Sequence, residues 1–378
     1  MAKPRGRRGV IYLDYQATTP LAPQVFEAMV PWLRDHFANP HSAHKPGRAA
    51  AAAVEVARER VMAALDLPPG RLIFTSGATE ALNIAIVGAA RRMRRADPRR
   101  IRVLTVATEH AAVRDTVLAL ESEGFEPILL PVGANGLLDL PEAAAAMDDR
   151  TALVAVMLVN NEIGVIQPVE ALAAQAQAAG ALFLCDAVQA FGRVPLPRNA
   201  DLIAVSAHKV HGPKGIGGLW LRDGLDLPPL LHGGGQEAGL RPGTLSPALC
   251  VGFGVAAALM AERAADDAGH VQALWDRARD LFADWTINGS VEARYCGNLN
   301  IRRDGIDAAR LLSECRNVAF SLGSACASGS GRPSHVLHAI GLSKKEAQSA
   351  VRLGFGRYTT CEELEKAAEA INHAASQQ

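Results

Sequence analysis

Between residues 71 and 222 short apolar runs alternate with longer alanine-rich or mixed stretches, and that alternation restricts the fold more than any other feature of the chain. The runs read as strands at 71–75, 101–107, 127–132, 152–159, 181–185, 202–206 and 218–222. Runs without polar alternation suit strands covered on both faces, and the stretches between them supply the covering helices. The pattern predicts an α/β architecture: a mostly parallel seven-stranded sheet flanked by helices, with 218–222 returning antiparallel.

The flanking segments are subordinate to this pattern. Residues 11–14 read as a short strand, 15–20 as a polar turn, and Pro23 as part of the first turn of a helix. The Asn39-Pro40 pair makes 37–44 a loop, and 49–65 is helical by propensity. Beyond a second glycine-rich loop at 231–244, a long helical pattern over 247–285 leads to a strand, a helix and a strand at 291–301, 307–314 and 351–356. At 378 residues the chain exceeds one simple core, so this last group is expected to form a smaller α+β domain.

Composition narrows the function classes. The 39 basic and 39 acidic residues leave no net field to attract nucleic acid or an anionic membrane, which favours a small-molecule site. The arginines between 91 and 102 lie largely at a helix C-terminus, where the helix dipole favours cations, and read as a solvated face. No apolar run approaches the roughly 18 residues of a membrane span, and no signal-peptide core follows the basic residues 1–9, so a cytoplasmic protein is expected. The six cysteines are widely spaced with no C-x-x-C pair, which argues against disulfides and zinc. His41 and His44 lack a third ligand type, so no metal site is expected.

Five polar residues fall just past the C-terminal ends of apolar runs: His110, Asn161, Asp186, Gln189 and Lys209. That edge of an open α/β sheet is where ligands bind, although each residue singly could also be a helix cap or loop filler. Lys209 precedes Gly212-Pro213-Lys214-Gly215-Ile216-Gly217-Gly218, which forbids a regular helix and lets backbone pass close to a bound group. A partly desolvated lysine there can serve as a Schiff-base amine; the competing reading is a surface lysine in a glycine-rich turn. Ser76-Gly77-Ala78-Thr79 opens a helix and offers either an anion seat or a simple cap, with Thr79 and Ser206 as possible hydroxyl donors to a phosphate. Neither a P-loop nor a G-x-G-x-x-G turn is present, so a nicotinamide dinucleotide is not expected.

In residues 321–335, ten of fifteen are Gly, Ala or Ser, too small to pack a core, so the segment is expected to be a mobile, exposed loop. Cys326 sits within it. Free cysteine ordinarily prefers burial, so this placement points to a nucleophilic thiol.

Taken in order, Tyr12-Leu13-Asp14-Tyr15-Gln16-Ala17-Thr18-Thr19-Pro20, Thr108-Glu109-His110, Asn160-Asn161-Glu162-Ile163-Gly164, Asp186-Ala187-Val188-Gln189, Ser206-Ala207-His208-Lys209 and Gly323-Ser324-Ala325-Cys326 resemble the cysteine desulfurases of the NifS and IscS type. These are fold type I, class V aminotransferase-like enzymes that use pyridoxal 5'-phosphate. The resemblance implies a large cofactor-binding domain at 15–257 and a small domain at 1–14 and 258–378 carrying the Cys326 loop. It implies that Lys209 binds the cofactor covalently and later moves the Cα proton, that Asp186 faces the ring nitrogen, and that His110 stacks on the ring. Asn161 and Gln189 would approach the ring hydroxyl; Ala78, Thr79, Ser206 and His208 would hold the phosphate, with Thr244 contributed across a homodimer interface. Arg352 would pair with the substrate carboxylate, assisted by Asn39 and Asn161. Cys326 would take the sulfur of L-cysteine, leave L-alanine, and pass the sulfur to an acceptor protein for iron-sulfur assembly or another thio-cofactor pathway.

The chain departs from the family pattern at Ala207, where glycine is usual, so its φ is expected to be negative; Leu322 replaces a usual serine. The chain ends soon after 359–364, short of the extension with which the IscS branch docks its scaffold, so a dedicated acceptor is the expectation. A selenocysteine lyase or a class V aminotransferase would keep the lysine, aspartate and histidine without needing the thiol loop.

Overall fold

The computed structural model describes residues 9–323 and 334–378. A short strand β1 (Ile11–Tyr12) and two helices, α1 (Pro23–Arg34) and α2 (Lys45–Leu65), precede the large sheet. The sheet contains β2 (Gly70–Thr75), β3 (Arg102–Val106), β4 (Glu126–Leu130), β5 (Thr151–Met157), β6 (Leu182–Asp186), β7 (Leu202–Ser206) and β8 (Gly217–Arg222). Between them lie α3 (Ala78–Ala96), α4 (Ala111–Ala119), α5 (Leu140–Ala146) and α6 (Val169–Ala178). The strand order is β2-β8-β7-β6-β5-β3-β4, and only β8 runs antiparallel to its neighbours. The connection from β7 to β8 is too short to hold a crossover helix, so the strand must return in the opposite sense.

Both faces of the sheet are buried, as the uninterrupted apolar runs require. Phe74, Leu104, Val154, Phe183, Ile203 and Trp220 point to one core, while Ile73, Val103, Leu153, Leu184, Leu202 and Leu219 point to the other. The period-two alternation of strand side chains divides them. α3 supplies nine buried residues to the second face. Register aligns the strand ends that matter: Met157 lies opposite Asp186, Asp186 opposite Ala204, and Gly217 opposite both Ser206 and Thr75. A Cβ on Gly217 would stand 2.7 Å from the carbonyl carbon of Gly77, so glycine is what lets β8 start against the turn that opens α3.

The pattern at 247–285 is not one helix. It divides at Arg263 into α7 (Pro247–Glu262), packed against α1 and α2, and α8 (Ala264–Leu281), with a 71° bend. Among the described residues no single helix is long and apolar enough to cross a membrane. The strand expected at 291–301 is also shorter. The smaller sheet holds β9 (Thr286–Ile287) and β10 (Asn298–Arg302); between them Arg294 folds back to donate to the Ser290 and Asn298 carbonyls and keeps that stretch a loop.

Next come α9 (Ala308–Glu314), β11 (Val318–Ala319), which pairs in parallel with β1, and β12 (Ser321–Leu322). The chain continues through α10 (His335–Ala339), α11 (Lys344–Gln348), β13 (Ala350–Gly354) and α12 (Cys361–Ser376). The smaller sheet has the order β12-β13-β10-β9 and a core of its own that includes Trp275, Leu299, Ile301, Leu353, Leu364 and Ile371. The arginine-rich stretch behaves as a solvated structural face: Arg91 pairs with Glu123, Arg99 with Asp97 and Asp149, and Arg102 with Glu126 and Asp148.

The second glycine-rich loop is pinned by a buried ion pair. Glu237, at φ +50°, accepts from Arg58 Nη1 at 2.9 Å and Nη2 at 2.7 Å, and from the Phe74 amide at 2.6 Å. Three charge-assisted bonds offset the strain of a left-handed non-glycine residue. Replacing Glu237 with Gln leaves the Arg58 charge with only the exposed Glu55 carboxylate as counter-charge. Chemical denaturation of that variant is expected to show a loss of about 3 kcal/mol; a change below about 0.5 kcal/mol would mean the loop is held by other contacts.

Candidate active site

A cavity of about 650 Å³ opens at the C-terminal edge of the large sheet. Its size is that of a site for a small organic ligand. Of the thirteen residues expected at the site, ten line this cavity. They arrive from five strand ends: Ala78 and Thr79 beyond β2, His110 beyond β3, Asn161 beyond β5, Asp186 and Gln189 at the end of β6, and Ser206, His208 and Lys209 at the end of β7. Arg352 reaches it from β13. Asn39 and Thr244 do not line it. Asn39 is exposed and spends its side-chain oxygen on the amide of His41 at 2.9 Å, while Thr244 is exposed on the second glycine-rich loop. Cys326 lies outside the described residues.

Lys209 is held by the segment that follows β1. Its Nζ donates to the carbonyl oxygens of Gln16 at 2.5 Å and Ala17 at 2.9 Å. The same segment is laced to the lysine's own backbone: Thr19 Oγ1 donates to the His208 carbonyl and accepts from the His211 amide. His211 takes φ +65°, so the chain turns sharply within two residues of the lysine. Ala207 stays out of the positive-φ region, as its side chain requires. A Cβ on Gly212 would come within 2.9 Å of the Ala207 Cβ, so the alanine is accommodated by glycine five residues later.

Desolvation sets the charge states. Asp186 ends β6 fully inside the protein; burial pushes its carboxyl up to about 6, opposed by the Val188 amide and by the Lys209 charge. Behind it Glu109 is raised well above the carboxylate range by burial and by the Asp186 charge. One Glu109 oxygen accepts from the Met157 amide at 2.6 Å, and the other has no partner among the described residues. His110 caps α4 by accepting from the Ala112 amide at Nδ1, and burial and Lys209 lower its pKa. His208 is lowered to about 4 by burial, Lys209, Lys214 and Arg193. Both imidazoles are therefore neutral at pH 7, with Lys209, Lys214 and Arg352 as the cationic side chains on the cavity wall.

These features fit a flat, anionic cofactor. The N-terminus of α3 and the side chains of Thr79 and Ser206 lie on the cavity wall, and Glu80, paired with Arg241, already accepts the Ser76 amide. The buried Asn161 Oδ1 has no partner among the described residues and is an acceptor left for a ligand. Gln189 is more committed than expected: its Nε2 donates to the Gln16 carbonyl at 2.8 Å and its Oε1 accepts from Arg193 at 2.5 Å.

Sequence reasoning gave no role to Asp14, Gln16, Glu109 or Lys214. The signal was partly available, because three of them lie in motifs already singled out and Lys214 follows the key lysine by five residues. Their bonds span more than a hundred residues of chain in the cases of Asp14 and Gln16, which no spacing reveals.

Both ends of the segment containing Cys326 are anchored at the site. Ser321 in β12 lies opposite Arg352 in β13. On the other side Ser334 Oγ donates to Glu162 at 2.5 Å and caps α10, and His335 Nε2 bonds the Glu109 carbonyl at 2.7 Å.

The sequence matches the family described as aminotransferase class-V over residues 11–367. It is 42% identical over 371 residues to "Cysteine desulfurase IscS" of Rickettsia akari (strain Hartford), covering 96% of this chain and 90% of that one. It is 44% identical over 369 residues to "Cysteine desulfurase, mitochondrial" of Drosophila melanogaster, covering 95% and 79%. Among solved structures, one described as a NifS-like protein superposes with a TM-score of 0.90 at 32% identity, covering 98% of this chain and all of that one. Another, SspA in complex with cysteine, gives 0.81 at 36% identity, covering 92% and 99%.

Glu162 gives the site a pH signature. Burial raises its carboxyl from an ordinary value near 4.5 to about 7, opposed by Ser334 and Arg352. The folded state thus binds the proton more tightly than the unfolded one; the stability gained is complete below about pH 4.5 and is lost as pH rises through 7. Glu162→Gln should match the parent near pH 5 and exceed it at pH 8, by on the order of 2 kcal/mol. Paired melting curves at the two pH values check this, and a difference independent of pH would refute it.

Proposed function

The chain belongs to the aminotransferase class-V family, and from that premise we propose how its own residues carry out the reaction of a pyridoxal-phosphate-dependent cysteine desulfurase. The enzyme converts L-cysteine to L-alanine and hands the sulfur to an acceptor. The observation that carries the assignment of roles is the convergence of Lys209, Asp186, His110 and Arg352 on one cavity from four different elements.

The cofactor, when bound, supplies an electron sink for the bonds at the substrate's Cα and Cβ. Lys209 would hold it covalently through Nζ; released by the substrate amine, that amine is then free to move the Cα proton. The Gln16 and Ala17 carbonyls orient Nζ. Asp186 would meet the ring nitrogen. An acid pushed only to about 6 by burial is readily returned to the carboxylate by a cationic partner, and that charge pair keeps the ring electron-poor. His110 would cover the ring face with its neutral imidazole. Asn161 would meet the ring hydroxyl, while Ala78, Thr79, Ser206 and His208 would hold the phosphate. Gln189 would act on that hydroxyl with an amide already fixed at both ends.

Arg352 would bind the substrate carboxylate through its planar fork. Cys326 would attack the substrate sulfur as a thiolate: a sulfur–sulfur bond forms, the carbon–sulfur bond breaks, and a proton completes alanine. Two residues of chain separate Cys326 from Gly323, a tether that puts their Cα atoms at most about 11 Å apart. Because Ser321 sits beside Arg352 in the smaller sheet, that tether starts at the cavity wall.

A second copy of the chain completes the enzyme in this reading. Phe26, Leu33 and Phe37 lie exposed on and after α1, with Phe37 at 90%, an apolar surface that association would cover. Thr244, outside the cavity of its own chain, is then available to a partner's phosphate seat, and the exposed Asn39 to a partner's substrate. The division into 15–257 and 1–14 with 258–378 agrees with the separate core of the smaller sheet. A cytoplasmic setting suits the five described cysteines, all free thiols.

Cys326→Ala should keep the bound cofactor's visible absorbance and its shift on adding L-cysteine, while sulfide release falls at least about a thousandfold. Mass spectrometry of the parent enzyme should place one extra sulfur on the Cys326 peptide, and sustained turnover by the variant would remove that residue from the mechanism. Lys209→Ala should lose the covalent adduct that borohydride fixes; an unchanged adduct would assign the attachment to another lysine.

A further inference from the structure

We infer that Asp14 is a positioning residue for recognition of the substrate carboxylate, acting through Arg352. The inference rests on the reading of Arg352 as the partner of that carboxylate. Arg352 is one of the most deeply placed charges in the molecule, its side chain 1% exposed, yet it lines the cavity. A buried guanidinium needs a counter-charge, and its planar fork serves a carboxylate only when the plane is fixed.

Both conditions are met by residues far apart in the chain. Nη2 donates to Asp14 Oδ1 at 2.7 Å and to Ser321 Oγ at 3.2 Å, and Nη1 donates to the Asn161 carbonyl at 2.9 Å. Ser321 Oγ donates in turn to the same Asp14 oxygen at 2.9 Å. One carboxylate oxygen therefore joins the arginine to β12. Among the described residues Nε has no partner and Nη1 makes only one bond, which leaves hydrogen-bonding capacity for a ligand.

Asp14 is itself rigid. It forms a bridge to Gly354 beside β13, and its carbonyl accepts from the Ala17 amide at 3.0 Å and from the Tyr12 hydroxyl at 3.1 Å. A carboxylate held this way, opposite the backbone oxygen of Asn161, locks the guanidinium from two sides. Its contact through a single oxygen neutralises the buried charge without occupying every donor.

The experiment compares L-cysteine with cysteamine, which has the same amine and thiol but no carboxylate, on the holoenzyme. Asp14→Ala should raise KM for L-cysteine about tenfold with kcat falling less than about threefold, because the lost contact acts in binding. Cysteamine affinity, read from the cofactor absorbance, should stay within about twofold. Asp14→Asn keeps an acceptor oxygen for Nη2 and Ser321 and should bring KM back to within about threefold of the parent. An unchanged KM in Asp14→Ala, or an equal loss for both ligands, overturns the inference.

Arg352→Ala separates the two readings. If it keeps the preference for L-cysteine over cysteamine, the assignment of Arg352 itself falls. If it loses the preference while Asp14→Ala keeps it, only the role of Asp14 falls. Should Asp14→Ala fail to fold, Ser321→Ala removes one support of the same oxygen and should raise KM for L-cysteine about threefold, leaving cysteamine unaffected; no change there overturns the inference.

Discussion

A backbone oxygen near the N-terminus holds the site together. The Gln16 carbonyl accepts from both Lys209 Nζ and Gln189 Nε2, so the reactive amine and the end of β6 are referred to one point. Gln16 is fixed in turn by its own side chain, whose Nε2 donates to the Gly297 carbonyl. Its neighbours extend the same function: Ala17 accepts from the lysine, Thr19 stitches the lysine's backbone, and Asp14 pairs with Arg352. A segment of six residues, 14–19, thereby couples β7 of the large sheet to β13 of the smaller one. Cofactor and substrate recognition depend on that coupling, because the lysine belongs to one sheet and the arginine to the other.

Burial then sorts the charges into working states. The three acids at or beside the cavity, Asp186, Glu109 and Glu162, are raised because the carboxylate loses water, and His110 and His208 are lowered for the same reason. A low-dielectric pocket with neutral imidazoles and cationic Lys209, Lys214 and Arg352 attracts a ligand bearing a phosphate and a carboxylate. The oxygen of Asn161 and the Nε of Arg352, both without a partner among the described residues, are polar groups that such ligands would satisfy.

Much of this was legible before any coordinates. The seven strands appear where apolar runs stand in the sequence, with β7 at 202–206 as read and β8 antiparallel as expected. Nine of the ten site residues reach one cavity because a parallel sheet places all its strand C-termini on one edge, so a polar residue just past an apolar run is aimed by topology; Arg352 comes from the smaller sheet. The misreadings have local causes. Periodicity could not see the 71° break at Arg263, since alanine-rich sequence on both sides favours helix. It also could not see that Arg294 would fold back and shorten the strand at 291–301, because that choice depends on which carbonyls lie within reach.

Sequence by itself determined the architecture and the cast of the chemistry: the parallel sense of the strands and the antiparallel return follow from alternation, the lysine, aspartate and histidine from polar residues just past strand ends, and the arginine from the family resemblance; the order of the strands does not follow from it. Only the tertiary structure decided how those groups are held. Asp14 meets Arg352, Gln16 meets Lys209, and Glu162 meets Ser334 across 338, 193 and 172 residues of chain. Local propensity carries no information on such pairs. They are chosen when burial removes water from a polar group and leaves it a single partner within hydrogen-bonding distance.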